Sequence, residues 1–282
     1  MKTSIVIRAR NDMPVIKRTI AGLQRQNTAF EVFAFDNGST DGTREELARI
    51  ATRLIDVEKY IPGQVLNQGM EISKSEKVVF LNSDCVPMHE QWLGNLLSGF
   101  TDANCAAVFG RQIPRKDCQA IFYKDTEDTF GDGERQKYWK HCFSMASSAV
   151  SRKVWQQHPF REDIQYSEDI DWTWRMRQHG FSIKYVADSV VEHSHNYTPA
   201  QFYRRQYGEG KAEAAIFTWT AWEKNWLRYS LMPLFRQIFS DVKYAFKFHR
   251  PKIIFESPVY RISQMLGRRC GFIDGLKKLE TR

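Results

Sequence analysis

Apolar residues follow two different periods along the first 110 residues. Short continuous apolar runs, which are typical of buried strands, occupy residues 4–9, 30–36, 77–82 and 105–110. Between them, apolar residues recur at helical spacing, as Ile16, Ile20 and Leu23 do behind Pro14. Two further helical groups are Leu47, Ile50, Ala51 and Leu54, and then Trp92, Leu93, Leu96, Leu97 and Phe100. This alternation predicts an α/β fold with a mostly parallel central sheet and right-handed crossovers.

Polar residues lie at the carboxyl ends of the first three of these strands. They are Arg8, Arg10 and Asn11 at the first, Asp36 and Asn37 at the second, and Asn82 and Asp84 at the third. Ligands bind at the carboxyl ends of parallel strands, so this convergence predicts a binding site. A strand interior disfavours Asp, which makes Asp84 either a turn residue or a holder of something charged. Pro87 is expected to prevent further pairing.

The pattern is less regular after residue 140. Residues 143–155 predict a strand or loop of small residues that leads into a helix. Residues 167–180 predict a helix capped by Ser167 and ended by Gly180. Residues 182–195 predict two short strands, and an extended end would point His193 and His195 to the same side.

The charge of the chain is unevenly distributed. Residues 201–282 hold 16 Lys and Arg against 7 Asp and Glu, whereas residues 1–200 hold 25 against 26. The whole net charge of +8 therefore comes from the last third of the chain, which predicts a separate basic module. We expect a catalytic domain over residues 1–205 and a basic, aromatic-rich helical module over residues 206–282.

Cysteine usage and hydropathy bear on the compartment. The five cysteines are scattered without a CxxC pair, which favours a reducing compartment and predicts neither a zinc site nor a disulfide framework. The first apolar stretch is too short for a signal peptide, and no run reaches the roughly 18 apolar residues of a membrane span. We expect a cytoplasmic protein, or one at the inner face of the cell membrane.

Five motifs in order resemble the family 2 glycosyltransferases of the GT-A fold, within them the bacterial rhamnosyltransferase-like group. The motifs are DNGSTDGT (36–43), PGQVLNQG (62–69), FLNSDCVP (80–87), SEDIDW (167–172) and EHSHNY (192–197). The resemblance covers roughly residues 3–210. It implies an inverting transfer of a sugar from a nucleotide-diphosphate sugar to an acceptor hydroxyl, in polysaccharide or glycolipid biosynthesis.

The resemblance also implies a divalent cation, Mg²⁺ or Mn²⁺, that stabilises the diphosphate leaving group. The family's Asp-x-Asp triplet is Asn82-Ser83-Asp84 here, which gives Asp84 the metal-binding position, while Asn82 departs from the pattern. His193 and His195 lie where related enzymes place a metal-coordinating histidine. A structural strand histidine is the alternative for either of them.

Glu168 and Asp169 correspond to the family's acidic pair on the helix, with Asp169 as the general base and Glu168 as its orienting neighbour. Acidic residues are also favoured in the first turn of any helix by the helix dipole, which is the alternative explanation.

The remaining site residues follow from the same resemblance. The donor, a UDP-, dTDP- or GDP-sugar, is expected to contact seven residues: Ala9, Arg10, Asp36, Asn67, Asn82, Ser83 and Asp84. Asp36 would accept a hydrogen bond from the base, although DNGSTDGT in isolation is also simply a good turn. Acceptor contacts are expected from Arg111, Gln112 and Trp172, with ordinary core packing as the alternative for the tryptophan.

Two questions stay open, the function of this fold and the partner of the basic module. Phosphate loops of the P-loop or GxGxxG type are absent from the sequence, which argues against kinases and dehydrogenases. A sugar nucleotidyltransferase and a non-catalytic sugar-nucleotide-binding protein are the alternative functions. The basic module fits an anionic membrane surface better than nucleic acid, which is not expected as a partner. A helical subdomain packed on the catalytic domain is the other interpretation of this module.

Overall fold

A computed structural model of the chain describes residues 2–136, 142–220 and 224–280. The chain divides into two compact units. The first comprises Met1–Arg115, Glu127–Ile164 and Glu168–His193, and the second comprises Lys116–Thr126, Gln165–Ser167 and Ser194–Arg282. The predicted boundary at residues 205 and 206 falls inside a helix of the second unit, Pro199–Ile216.

The strands of the described residues form one mixed sheet in the first unit. They are β1 (Thr3–Ala9), β2 (Phe30–Asp36), β3 (Arg53–Asp56), β4 (Lys77–Asn82), β5 (Val86–Pro87), β6 (Cys105–Ile113), β7 (Ser147–Ser151) and β8 (Ser182–Glu192). Their order across the sheet is β3-β2-β1-β4-β7-β6-β8-β5. The first four strands in this order are parallel, whereas β7 and β5 run antiparallel to their neighbours. The predicted α/β class is confirmed, with a sheet that is mixed.

Helices connect these strands and extend into the second unit. They are α1 (Val15–Gln24), α2 (Thr43–Ala48), α3 (Pro62–Ile72), α4 (Trp92–Ser98), α5 (Ala120–Thr129), α6 (Arg152–Gln157), α7 (Glu168–Gln178), α8 (Pro199–Ile216), α9 (Met232–Lys247) and α10 (Lys252–Glu280). A short π-helical segment, Leu227–Leu231, precedes α9.

Both faces of the central strands are buried, which explains their continuous apolar runs. Ile5 and Ile7 of β1 pack into one core cluster with α1 and α4, whereas Val6 packs into a second cluster with α3 and α7. Side chains alternate along a strand, so one sheet supplies both cores and carries helices on both sides.

Four predictions about elements are wrong. Leu54 lies in β3 and not on a helix, because α2 ends at Ala48 and a four-residue, half-exposed strand gives no clear pattern. Pro87 pairs with Val191 as part of an edge strand, where proline is tolerated. Residues 182–192 form one strand, whose register shift opposite Gly110 and Arg111 breaks the apolar pattern. Finally, β6 runs to Ile113, three residues beyond the predicted strand end at residue 110, which places Arg111 and Gln112 on the strand.

Candidate active site

Three strand ends meet at one edge of the sheet, as the sequence predicts. Ala9 of β1 is the register partner of Asp36 of β2, and Arg8 is the register partner of Asn82 of β4. The pairing continues for one more residue. The backbone N–H of Asn37 donates to the Ala9 carbonyl, and the backbone N–H of Ser83 donates to the Arg8 carbonyl. Parallel pairing therefore brings the polar residues of three distant sequence segments to one place.

The loops after β1 and β2 are held together by side-chain hydrogen bonds. The backbone N–H of Asn11 donates to Ser39 Oγ at 3.0 Å, and the side-chain oxygen of Asn11, Oδ1, accepts from the backbone N–H of Thr40 at 2.8 Å. The Met13 amide donates to Asp41 Oδ2 at 2.9 Å. Asn11 has a φ of 54°, and Gly42 has a φ of 95°, a region in which glycine carries no steric cost. The turn residues of DNGSTDGT thus build a defined wall of the site.

Asp36 has a buried carboxylate with unused acceptor capacity. Its side chain is 1% exposed, and Oδ2 accepts a hydrogen bond from the Ser39 amide at 3.0 Å. Its other oxygen, Oδ1, is buried and accepts no hydrogen bond within the described structure. Buried acceptors are normally satisfied, so this oxygen is positioned for a donor that a ligand supplies.

Asp12 is a second carboxylate at this edge that the sequence analysis missed. It accepts hydrogen bonds from Ser83 Oγ and from the Arg10 amide. Burial raises the pKa of Asp12, two hydrogen bonds oppose this, and the nearby charge of Asp84 adds to the rise. Ser83, which is predicted to contact the sugar nucleotide, is therefore held by Asp12. The side chain of Arg10, another predicted nucleotide contact, is exposed.

Asp84 and His193 lie opposite each other at the ends of β4 and β8. His193 Nε2 lies 3.5 Å from Asp84 Oδ2, and both side chains are largely buried. With His195, two residues further along the chain, they form a group whose ligand atoms lie within 4.8 Å of one another. One carboxylate and two imidazoles suit a divalent transition metal such as Mn²⁺, since Mg²⁺ prefers oxygen ligands. The residues predicted to hold the cation are thus brought together and fit it.

Arg8 connects the end of β4 with the start of α7. Its guanidinium donates to Asn82 Oδ1 at 2.9 Å, to Glu168 Oε1 at 3.2 Å and to the Tyr60 hydroxyl at 3.3 Å. The side chains of Arg8 and Glu168 are each 12% exposed, so this is a largely buried ion pair. Asn82 is the departure from the family's acidic triplet. It is a neutral acceptor for the Arg8 guanidinium, whose charge is already paired with the Glu168 carboxylate.

Asp169 is the carboxylate with the most altered acidity at this edge. Burial raises the pKa of Asp169 to about 6, and the charge of Glu168 adds to the rise. Hydrogen bonds from the amides of Met145 and Ile170 and the charge of Arg8 oppose it. A carboxylate with a pKa close to neutral is suited to accept a proton in a reaction.

The segment 144–146, just before β7, contacts three parts of the site. Ser144 Oγ accepts from Gln112 Nε2 at 2.9 Å, and the Met145 amide donates to Asp169 Oδ2 at 3.1 Å. The carbonyl of Ala146 accepts from the backbone N–H of Asn82 at 2.9 Å. Like Asp12, this segment has no role assigned from the sequence. Arg8 is named there only among the polar residues at the end of the first strand, although a charged residue within the apolar run SIVIRA is a usable signal.

Two residues predicted to bind ligands have structural contacts instead. Trp172 is 0% exposed and its indole donates to the His158 carbonyl at 2.6 Å, which leaves it no surface for an acceptor. Asn67 donates to Phe160 and Glu162 and accepts from Trp155 and Phe160, so its amide is fully used within the protein. We therefore assign both residues to packing of the segment before α7.

Comparison with solved structures agrees with this architecture. A mannosyltransferase from Pyrobaculum calidifontis, solved with GDP-Man and Mn²⁺, matches 99% of this chain and 79% of its own with a TM-score of 0.61 and 17% identity. Glucosyl-3-phosphoglycerate synthase from Mycobacterium tuberculosis matches 78% of this chain and 81% of its own, with a TM-score of 0.53 and 15% identity. The fold is that of the GT-A class of glycosyltransferases.

The family follows from the sequence comparison. The model of glycosyl transferase family 2 matches residues 4–158, and the chain belongs to this family. The O-antigen chain rhamnosyltransferase WbaN of Salmonella anatum is 29% identical over 66% of this chain and 64% of its own length. RfbN of Salmonella typhimurium, of the same description, is 26% identical over 74% and 72%. The chain thus spans just under two thirds of the first of these relatives.

Proposed function

We propose that this protein is an inverting glycosyltransferase that moves a sugar from a nucleotide-diphosphate sugar to an acceptor hydroxyl in surface polysaccharide biosynthesis. One observation carries the proposal: the Arg8 guanidinium bonds both Asn82, two residues before Asp84, and Glu168, directly before Asp169. The leaving-group side and the base side of an inverting displacement are thereby joined. The names of the O-antigen relatives support the same reaction class.

Each residue has a stated role in this reaction. Asp36 accepts a hydrogen bond from the nucleotide base through its buried, unused oxygen. Asp84 and His193, with His195, hold Mn²⁺ or Mg²⁺, which when bound stabilises the negative charge of the nucleotide diphosphate. Asp169 accepts the proton of the acceptor hydroxyl as the new bond to the anomeric carbon forms. Arg111 stays a predicted acceptor contact.

The test is an assay with UDP-, dTDP- and GDP-sugars, with hydrolysis and transfer to membrane-extracted glycans as readouts. Release of the nucleoside diphosphate in wild type and its loss in Asp169→Asn supports the proposal. A nucleotidyltransferase would instead convert a sugar phosphate and a nucleoside triphosphate and release pyrophosphate. Tight donor binding with no turnover under any of these conditions would favour a binding protein.

The acceptor is proposed to be carried at an anionic membrane surface, which the second unit contacts through its last two helices. Large apolar side chains are exposed on one stripe of α10, at i, i+4, i+7 and i+11: Phe255, Val259, Ile262 and Leu266. On α9, Phe235, Phe239 and Phe246 are 64%, 62% and 71% exposed. We call these seven residues the apolar stripe.

Basic side chains are exposed on the same two helices as the apolar stripe. Arg236, Lys243, Lys247 and Lys252 are exposed, and Lys243 Nζ lies 4.4 Å from the Phe239 ring centre. Exposed phenylalanines beside lysines are typical of helices that lie in a membrane interface, with apolar groups inserted and cations at the headgroups. No helix among the described residues has the length and apolar character to cross a membrane. The proposed contact is therefore with the membrane surface.

A further inference from the structure

Gln112 lies between the cation group and the segment before β7. It is 4% exposed, and its Oε1 lies 2.7 Å from His193 Nδ1. Its Nε2 donates to Ser144 Oγ at 2.9 Å. In the structure the donor end of this buried amide is directed to Ser144 and its acceptor end to His193.

This orientation determines which nitrogen of His193 carries the proton. Because Oε1 of Gln112 is an acceptor, Nδ1 of His193 must donate to it. In the neutral imidazole the lone pair is then on Nε2, the atom that lies 3.5 Å from Asp84 Oδ2. In that form two acceptor atoms face each other, an arrangement that a bound cation would stabilise.

We propose that Gln112 is a positioning residue that holds His193 in the Nδ1–H form, with Nε2 directed to the cation. This inference rests on the proposed metal site but not on the identity of the sugar or acceptor. It replaces the role in acceptor binding that the sequence suggested for Gln112. Residues that hold the second nitrogen of a metal-binding histidine typically contribute 10–100-fold to metal affinity or activity.

The backbone supports the same arrangement. The His193 amide donates to the Ile113 carbonyl at 2.9 Å, so both the main chain and the ring of His193 are fixed by consecutive residues of β6. Ser144, the other partner of Gln112, directly precedes Met145, whose amide donates to Asp169. Gln112 therefore also links the cation side of the site to the segment that holds the base.

A hydrogen-bond acceptor is the feature that matters at position 112, which gives a matched set of variants. Gln112→Met keeps the length of the side chain but cannot accept from Nδ1–H. Gln112→Glu retains an acceptor for the same N–H. Ser144→Ala leaves the glutamine in place but removes the partner that orients its amide.

The first measurement is the protonation pattern of the His193 nitrogens by NMR in metal-free, ¹⁵N-histidine-labelled protein, assigned with His193→Gln. We expect a proton on Nδ1 in wild type and in Gln112→Glu, whether or not Nε2 also carries a proton toward Asp84, and a loss of this preference in Gln112→Met. A wild-type His193 whose Nδ1 carries no proton overturns the proposal.

The second measurement is calorimetry of Mn²⁺ with UDP or GDP present. We expect affinity about 10–100-fold weaker in Gln112→Met, a smaller loss in Ser144→Ala, and near wild-type affinity in Gln112→Glu. Nucleotide binding in EDTA should be unchanged, which reports a folded site. Unchanged Mn²⁺ affinity in Gln112→Met, or equal losses in Gln112→Met and Gln112→Glu, contradicts the proposal. Neither measurement requires sugar transfer, so failure of the proposed function would appear separately, in the transfer assay.

Discussion

Arg8 and Glu168, which are 160 residues apart in the sequence, form a largely buried ion pair at 3.2 Å. The pair joins the end of the first strand to the helix that carries Asp169. Breaking a buried pair by removing one partner leaves an uncompensated charge, so its effect on neighbouring groups is expected to be large.

Removal of the Arg8 charge should therefore raise the pKa of Asp169. Arg8 favours the ionised form of Asp169, whereas Glu168 and burial disfavour it. In Arg8→Met we expect the acid limb of the pH–rate profile to shift to higher pH than in the wild type, where it lies near pH 6. Arg8→Lys keeps the charge and should leave the limb close to that of wild type. Identical limbs in wild type and Arg8→Met would disprove the electrostatic link.

Asp169→Asn should lose sugar transfer while the protein still binds its donor. The amide keeps the size of the side chain but cannot accept the acceptor's proton, and the loss of a general base typically costs about 10²–10⁴-fold in rate. Steady-state transfer and donor binding by calorimetry are the two measurements. Near wild-type transfer by this variant would exclude Asp169 as the base.

The same variant has a signature in protein stability. The pKa of Asp169 is raised in the folded protein to about 6, so its contribution to stability is present at acid pH and is lost as pH rises through 6. The stability of Asp169→Asn relative to wild type should therefore increase between pH 5 and pH 8. Urea unfolding at both pH values measures this difference, and a difference that does not change with pH contradicts the raised pKa.

The sequence predicts the elements that local patterns define. Residues 30–36 and 77–82 coincide with β2 and β4 because both strands are buried on both faces. Asp36, Asp84 and Asp169 stand out as carboxylates that follow apolar strands or begin a helix. Parallel pairing brings Asp36 and Asp84 to one edge, whereas the start of α7 is held there by the contacts of Glu168 with Arg8 and of Asp169 with Met145.

What the sequence does not predict depends on contacts between distant segments. Gln112 and His193 are 81 residues apart, and nothing near Gln112 in the sequence distinguishes a ligand-orienting amide from an acceptor contact. Trp172, three residues after Asp169, is predicted to contact the acceptor because aromatic rings suit sugars, but they suit cores equally well. Its complete burial shows that it packs in the core. The short strand β3 was missed for a simpler reason: half-exposed, four-residue strands lack a period.

Cation binding should depend on Asp84 and favour Mn²⁺ over Mg²⁺. Two of the three candidate ligands are imidazoles, which Mg²⁺ accepts poorly. In Asp84→Asn we expect transfer to fall about 10²-fold or more, as for other lost electrostatic contacts in active sites. Calorimetry of each cation with UDP or GDP present measures the affinity.

Asp12→Asn is the matched control for this prediction, because Asp12 is a neighbouring acid that bonds Ser83 and lies outside the cation group. It should change Mn²⁺ affinity much less than Asp84→Asn does. Full transfer in excess EDTA would show that Asp84 acts without a metal.

Arg261 should be the most sensitive residue of the second unit. It is 1% exposed and donates to both oxygens of Asp241 at 2.8 and 3.0 Å and to both oxygens of Asp125 at 2.8 and 2.6 Å. Lys124 adds a further ion pair to Asp241 at 3.0 Å. Arg261→Met should destabilise the protein by about 3–5 kcal/mol, because two acids lose a buried partner.

The exposed pair of Arg44 and Asp56, at 2.9 Å, is the control for this prediction. Arg44→Met should change stability far less, since water replaces the lost contact. The pKa of Asp241 is lowered despite its burial, by hydrogen bonds from Arg261 and by that residue's charge. Its contribution is therefore present above the ordinary Asp range and lost as pH falls through the lowered value. Thermal unfolding from pH 7 to pH 3 measures both effects, and equal losses for the two arginine variants would refute the network's role.

Membrane binding should depend on the apolar stripe as well as on net charge. Inserted phenylalanines contribute through buried apolar area, and each lysine near an anionic surface contributes about 1 kcal/mol that salt screens. We expect Phe239→Glu and Phe255→Glu each to abolish co-sedimentation with vesicles that contain anionic lipid. Leu279→Glu is the matched control, because Leu279 is exposed on another side of α10, and it should bind as wild type does. Wild-type binding should weaken as salt rises and be absent on neutral vesicles. Equal vesicle binding by all three variants would contradict the membrane role of the apolar stripe. If the wild-type protein is a dimer and the two phenylalanine variants are monomers, the apolar stripe is a self-association surface instead.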